Sequence, residues 1–352
     1  MSKQNTLNVA VIGAGAIGLD HIRSFQQHPA ARVVALAEVS PRRGREAADL
    51  FNIPELVTDY RRLLARADLD VVSIALPNYL HAPVALAALR AGKHVMLDKP
   101  MATNARDAAK LVAAAKKGRR LLMVGQNVRF TPEVQTARQL VDAGVLGEVY
   151  HAKTAWTRRS GIPRIGSWFT QKRFAGGGST YDIGVHALDR CLYLLGEFDA
   201  VAVSGQTYSK FGARGLGEGS WGKSEIDPAK PFDVDDLSVA LIKLKSGRTV
   251  LLETSWAAHQ PEPDFNGLQL FGTEAGLLLP PLRLFRQGKH GYASELVPTR
   301  TDLVDSNRMV HFIDCLLGKA EPFVKPAESL AVQKILDAIY RSARTGREVR
   351  IR

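Results

Sequence analysis

The stretch NVAVIGAGAIG at residues 8–18 decides the fold. Its opening, Asn8 to Ile12, is short, apolar and β-branched, the composition of a strand buried on both faces. Three glycines follow directly, and a helical pattern runs from Ile17 to Gln27. Glycine at 13, 15 and 18 lets the chain turn sharply and lets its backbone approach a pyrophosphate. The helix start then offers free N–H groups and a favourable dipole. Gly13, Gly15, Ala16, Ile17 and Gly18 are therefore candidate dinucleotide contacts. The next strand, ARVVALA at 31–37, ends at Glu38, 20 positions beyond Gly18. A carboxylate at that point accepts bonds from the adenosine ribose hydroxyls. It also repels a 2′-phosphate, so the pattern predicts NAD, while Arg42 and Arg43 close by leave NADP open.

Reading outward, the alternation continues. VVSIAL at 71–76, HVMLD at 94–98 and RLLMV at 120–124 are further apolar strands, with helices at 42–51, 82–91 and 104–118 between them. Fully apolar strands alternating with helices predict a parallel sheet covered on both faces, an N-terminal Rossmann domain over residues 1–125. The style changes near Gly125. A helix from Thr131 to Ala143 leads to a longer strand at 148–159, and later strands at 200–208, 236–256 and 268–279 alternate and come in pairs. KSGR and GTEAG read as hairpin connections. Residues 126–352 are thus expected to form a C-terminal α+β domain with a large, mainly antiparallel open sheet. Two helices, Asn307–Leu317 and Ser329–Thr345, close it, the last a candidate to pack back on the first domain. Residues 209–235, rich in Gly, Ser and Pro, read as a long loop of the kind often tied to function.

Composition narrows the class. With 352 residues, 45% of them hydrophobic, the chain has material for two real cores. The net charge of +12 comes from 47 Lys and Arg against 35 Asp and Glu. The basic residues are scattered, which argues against nucleic acid as a partner. No apolar run reaches ~18 residues and no signal core opens the chain, so the expectation is a cytoplasmic protein without membrane contact. The two cysteines, Cys191 and Cys315, cannot build a disulfide framework and read as buried thiols. No HExxH or Cys/His cluster occurs, so no metal is expected.

Four further motifs stand at strand ends or a helix start: LPNYLHAP at 76–83, LDKP at 97–100, GQNVRFTP at 125–132 and GGGSTYDIGVHALD at 176–189. Together with the glycine turn they resemble the Gfo/Idh/MocA family of oxidoreductases over essentially the whole chain. The resemblance implies a catalytic Lys99 beside the nicotinamide and the substrate hydroxyl. Asp98 stands where the family's motif has Glu, one methylene shorter, which alters its reach toward the cofactor ribose or Lys99. The resemblance also implies that His186 accepts a proton while Asp182 orients it or binds substrate. Pro77, Asn78, His81, Asp98, Lys99, Gln126 and Asn127 are implied cofactor contacts. Arg129 joins Lys99, Asp182 and His186 among the implied substrate contacts, or else makes an inter-domain ion pair.

The chemistry agrees on independent grounds. Oxidising a carbinol needs a base for the hydroxyl proton, and an imidazole with an unperturbed pKa near ~6.5 serves near neutrality. A lysine ammonium stabilises the developing alkoxide. The spacing of Asp182 and His186 puts both on one helical face. Ahead of them, TRRSGIPRIGSWFTQKRFAGGG at 157–178 supplies Arg158, Trp168 and Lys172. Hydrogen-bond donors beside aromatic faces suit a sugar, glycoside or cyclitol. The expected activity is hydride transfer between the nicotinamide and a secondary hydroxyl or ketone. A redox glycoside-cleaving enzyme with internally recycled NAD is an alternative, since both routes begin with the same transfer. A non-catalytic NAD-binding sensor is a third, against which the retained acid–base set argues. The open sheet face and the family resemblance suggest a homodimer or homotetramer.

Overall fold

Strand β1 (Leu7–Ile12) lies at the centre of a parallel sheet because its inner residues Val9, Ala10 and Val11 are wholly buried. The computed structural model describes residues 6–222, 224–227, 229–302 and 307–351. Residues 1–5 of the polar N-terminus, and Lys223 and Pro228 of the expected 209–235 loop, lie outside the described residues. Among the described residues the chain divides into two compact units, 1–125 with 307–330, and 126–306 with 331–352.

In the first unit, β1 is followed by α1 (Ala16–Phe25), β2 (Ala31–Ala37), α2 (Pro41–Phe51), β3 (Glu55–Val57), α3 (Arg61–Leu64), β4 (Val71–Ile74), α4 (Asn78–Arg90), β5 (His94–Leu97), α5 (Ala105–Gly118) and β6 (Leu122–Val124). The strands line up as β3-β2-β1-β4-β5-β6, all parallel. That order is the dinucleotide-binding arrangement, with its switch point where the order reverses beside β1. α2 and α5 begin on side-chain caps from Ser40 and Asn104.

The second unit contains α6 (Pro132–Asp142), β7 (Val149–Arg158), α7 (Lys172–Ala175), α8 (Val185–Leu195), β8 (Ala200–Tyr208), β9 (Leu237–Leu244), β10 (Thr249–Ser255), β11 (Asp264–Gly272), β12 (Gly276–Leu279), β13 (Arg283–Gly288) and β14 (Gly291–Leu296). Then come α9 (Arg308–Leu316), which belongs to the first unit, α10 (Pro326–Thr345) and β15 (Val349–Arg350). The nine described strands run β14-β13-β12-β11-β7-β10-β9-β8-β15. Every pairing is antiparallel except β7 with β10. Both expected hairpins form, at 245–248 and 273–275. α8 lies against β7, β10 and β11 and is buried at nearly every residue from Val185 to Leu195. A helix buried on nearly every side lies within a core, and its polar members His186, Asp189 and Arg190 are buried with it.

Two features of the C-terminal part differ from the sequence expectation. Residues 307–330, read with the second domain, join the first unit. α9 packs on α1, with Asn307 Nδ2 donating to Ser24 O at 3.1 Å, Arg308 on Asp20 at 3.3 Å and His28 on Asp314 at 3.2 Å. The last helix, the candidate to pack on the first domain, instead places Val332, Ile335, Leu336 and Ile339 in the second unit's core. Cys191 is buried and Cys315 half-buried; burial raises their pKa values to about 12 and about 11, so both are thiols at neutral pH. Among the described residues no helix is long and apolar enough to cross a membrane.

One ion pair locks the second unit's core. Arg129 donates from Nε to Asp189 Oδ2 at 2.7 Å and from Nη2 to Oδ1 at 2.6 Å, with both side chains 1% exposed. Its guanidinium also lies 5.1 Å from the Tyr193 and Phe198 ring centroids. Removing one member of a buried pair strands the other charge, which costs about 3–5 kcal/mol. Asp189→Ala is therefore expected to lower unfolding free energy by that amount in denaturant titration. An unchanged midpoint would show that the pair carries no stability.

Candidate functional site

The dinucleotide turn grows directly from the end of β1. Gly13 has φ +100°, a conformation that side chains disfavour, and a Cβ there would lie 2.3 Å from Ala75 O. A Cβ on Gly18 would lie 1.9 Å from Gly13 O, so the helix can approach the strand only with glycine at that position. Gly15, the N-cap of α1, has open space where its side chain would be and offers no side-chain cap. Gly15, Ala16 and Ile17 are exposed. The first-turn N–H groups thus face an open approach, which fits the pyrophosphate of a nicotinamide dinucleotide.

Glu38 closes the turn from the side. Its Oε2 accepts from Ala14 N at 2.8 Å, and its Oε1 from Ser40 N at 2.9 Å and Arg43 Nη2 at 3.0 Å. Burial alone would raise its pKa, but the two backbone donors and Arg43 outweigh burial and lower it. A carboxylate offers about four acceptor positions, so these three bonds leave capacity for a ribose hydroxyl. Arg43 is engaged on Glu38, and Arg42 pairs with Glu46 at 2.8 Å on the surface.

The two other loops of this unit converge on one buried ring. Pro77 is the N-cap of α4 and Asn78, buried, its first residue. Asp98, Lys99 and Pro100 follow β5, with Asp98 N bonded to Ile74 O at 3.0 Å. His81 was expected to touch cofactor. It is wholly buried, and both ring nitrogens lie against backbone carbonyls, Nδ1 2.7 Å from Pro100 O and Nε2 2.8 Å from Leu76 O. The charge of Asp98 acts on His81 and on buried His21.

The second unit holds the acid–base candidates. Gly176–Gly178 lead into a π turn, Thr180–Gly184, that runs into α8. Asp235 organises this start: its carboxylate accepts from Gly178 N at 2.8 Å, Ser179 Oγ at 2.8 Å, Thr180 N at 3.0 Å and Thr180 Oγ1 at 2.8 Å, and from the Tyr340 hydroxyl. Gly178 fits there because a Cβ would lie 1.8 Å from Asp235 O. Asp182 sits in the π turn and accepts from Trp256 Nε1 at 2.9 Å. His186 stands in the first turn of α8, its ring centroid 5.8 Å from that of Trp156. Both Asp182 and His186 are 8% exposed. One turn further, Arg190 bonds Gly267 O at 3.2 Å; burial lowers its pKa to about 10, which leaves it a cation at neutral pH.

The expected substrate contacts divide. Arg158 lies beside Trp156: its guanidinium is 5.0 Å from the Trp156 ring centroid, and its Nε donates to Asp264 Oδ2 at 3.2 Å. Trp156 Nε1 donates to Asp264 Oδ1 at 3.1 Å. Trp168 stacks on Phe169 at 3.8 Å, and Phe169 meets Trp221 edge-on. The Lys172 ammonium lies 5.3 Å from the Tyr340 ring centroid. Arg129 is corrected: wholly buried and spent on Asp189, it shapes the 3-10 turn Asn127–Phe130 and offers nothing to a substrate. Gln126, just before that turn, is 2% exposed, and Asn127 is exposed. Trp156, Trp256, Asp235 and Asp264 were missed by sequence reasoning. The only local signal was ETSW at 253–256, a polar tryptophan ending an alternating strand. No group of three or more His, Cys, Asp or Glu placed to hold a metal occurs among the described residues.

Comparison with known proteins agrees with this geometry. The family model described as oxidoreductase family, NAD-binding Rossmann fold, matches residues 7–126, and the GFO/IDH/MocA C-terminal domain model matches residues 134–278. The chain is 31% identical to the D-glucoside 3-dehydrogenase of Escherichia coli K12, covering 98% of this chain and 97% of that protein. It is 32% identical to the levoglucosan dehydrogenase of Pseudarthrobacter phenanthrenivorans, over 77% of this chain and 73% of that one. Among solved structures, levoglucosan dehydrogenase in its apo form superposes with a TM-score of 0.85 at 26% identity, covering 99% of both chains.

The turn makes a paired prediction. Gly18→Ala drives a methyl into a backbone carbonyl, so NAD binding should weaken on the order of tenfold or more, about 1.4 kcal/mol or above, and the melting temperature should fall. Gly15→Ala meets open space and should shift stability by less than about 0.5 kcal/mol. Calorimetry and thermal melts on both variants check this, and equal effects would contradict it. Glu38 gives the pH dependence. Its folded pKa lies below its ordinary value of ~4.3, so its stabilisation is present above that value and is lost as pH falls through the folded pKa. Glu38→Gln should remove that part of the acid-side loss of stability, and an identical acid titration would contradict the role.

Proposed function

The chain belongs to the Gfo/Idh/MocA family of oxidoreductases, and within it we propose an NAD-dependent dehydrogenase that oxidises the C3 hydroxyl of a pyranose glycoside and releases reduced cofactor. The observation that carries this is the pairing at the start of α8. A buried His186 packs at a tilt against Trp156, and Asp182 one turn away is held by the Trp256 N–H. The whole-length similarity to a D-glucoside 3-dehydrogenase supports the substrate class and the position.

Bound NAD supplies the two-electron acceptor at its nicotinamide ring. His186 takes the hydroxyl proton as the carbinol C–H bond breaks and its electron pair leaves as hydride. Oxygen and carbon then form the ketone, and the proton passes from His186 to water. Lys99 is assigned the role of the cation that stabilises the developing alkoxide. Asp182 orients His186 or a neighbouring hydroxyl, and the Trp256 donor fixes its rotamer. Trp156, with Arg158 and Asp264 along the same strand edges, presents an aromatic face and polar groups, the combination a sugar ring needs. Exposed Leu241, Leu251 and Phe265 share the opposite sheet face, which supports a homodimer or homotetramer.

Absorbance of reduced nicotinamide, with NAD and a panel of glucosides, free sugars and cyclitols, tests the reading. Wild type should accumulate NADH with glucosides. His186→Ala should lose roughly 10²–10⁴-fold in kcat, and Trp256→Phe should lower kcat with NAD affinity kept. Glycoside cleavage without NADH build-up, or full activity in His186→Ala, would overturn it.

A further inference from the structure

The His81 ring sits between two acceptors. Nδ1 is 2.7 Å from Pro100 O and Nε2 is 2.8 Å from Leu76 O, in a side chain with no exposure. A neutral imidazole carries one N–H donor and one lone pair. Against two carbonyl oxygens it makes one hydrogen bond and sets its bare nitrogen against an oxygen lone pair at hydrogen-bond distance. An imidazolium donates to both. The ionisable groups that act on the ring are Asp98 and Lys99 beyond β5 and His21 on α1. Burial is the largest influence and lowers the ring's pKa; Asp98 and the two carbonyls raise it, and Lys99 lowers it. Burial outweighs Asp98 and the two carbonyls, so the ring's pKa is lowered on balance, toward the neutral form. The two carbonyl contacts oppose this, because only the charged ring donates to both, and the proposal rests on that geometry. His21 contrasts with it: its Nδ1 meets the Ser73 hydroxyl at 2.9 Å, a partner able to accept or donate, and burial takes its pKa to about 3.

We propose that His81 is an imidazolium brace that ties the backbone at Leu76 to the backbone at Pro100 and so fixes where Lys99 stands. The two carbonyls belong to the two loops that open at adjacent strand ends, after β4 and after β5. Asp98, directly before Lys99, is its counter-charge. His81 is a positioning residue, acting through Lys99, and the inference rests on the reading of Lys99 as the alkoxide-stabilising group.

Long-range ¹H–¹⁵N correlation on histidine-labelled wild type, without substrate, tests the protonation state. The His81 ring, assigned by its contacts to Pro100 protons, should show two N–H-type nitrogens at neutral pH. One protonated and one bare nitrogen would overturn the proposal. Kinetics supply the second arm. His81→Phe should lower kcat tenfold or more with a smaller change in KM for NAD, and His81→Gln, which keeps a donor, should recover part of the loss. Unchanged kcat in His81→Phe would also overturn it. If the variants do not fold, the wild-type spectrum decides alone. Two N–H nitrogens in a protein that oxidises no sugar would sustain the brace and defeat the functional reading instead.

Discussion

The carbonyl oxygen of Gly13 lies where a side chain on Gly18 would have to be. That single close approach lets α1 start hard against the end of β1, and the first unit's chemistry follows from it. With the helix start drawn in, Ala14 N reaches the Glu38 carboxylate, and Glu38 in turn holds the start of α2 through Ser40 N and Arg43. Three segments are thereby fixed around one open patch of backbone N–H groups. Any larger residue at position 18 pushes helix and strand apart and loosens every one of these bonds.

The second unit solves a similar problem with a carboxylate. Asp235, at the end of a long connection, collects backbone and hydroxyl donors from 178–180 and the hydroxyl of Tyr340 on α10. A buried anion with so many donors is well compensated. Its effect is to hold an unusual π turn in place, and that turn carries Asp182 into reach of Trp256. π turns recur at functional sites because they shift side chains off the regular helical register. The Arg129–Asp189 pair then anchors the same helix one turn further on, so His186 stands on a segment braced at both ends.

How much of this was legible in the sequence depends on the range of the interaction. The buried parallel strands announced themselves as apolar runs, and the glycine turn, the Asp-x-x-x-His spacing and both hairpins are local patterns. β3 was missed because three residues carry no periodicity. β13 and β14 were missed because RLFRQG and GYASEL are largely exposed and polar. The parallel pairing of β7 with β10 joins residues about a hundred positions apart, and no local pattern encodes it. The return of 307–330 to the first unit rests on contacts with α1 nearly three hundred residues earlier. The same reason explains the site. Arg129 read as a substrate ligand because its partner Asp189 is sixty residues away. Trp256 went unnoticed because its bond to Asp182 spans seventy-four. His81 was legible as important, but its two carbonyl partners were not.

The proposed reaction turns on one chemical event, hydride leaving a sugar ring carbon while His186 takes the hydroxyl proton. A methyl β-glucoside deuterated at C3, incubated with NAD and the enzyme, tests it most directly by mass spectrometry of the dinucleotide. Deuterium from C3 should appear in the reduced nicotinamide in proportion to turnover. Deuterium that stays on the sugar, or that appears in solvent while the dinucleotide remains unlabelled, would contradict it.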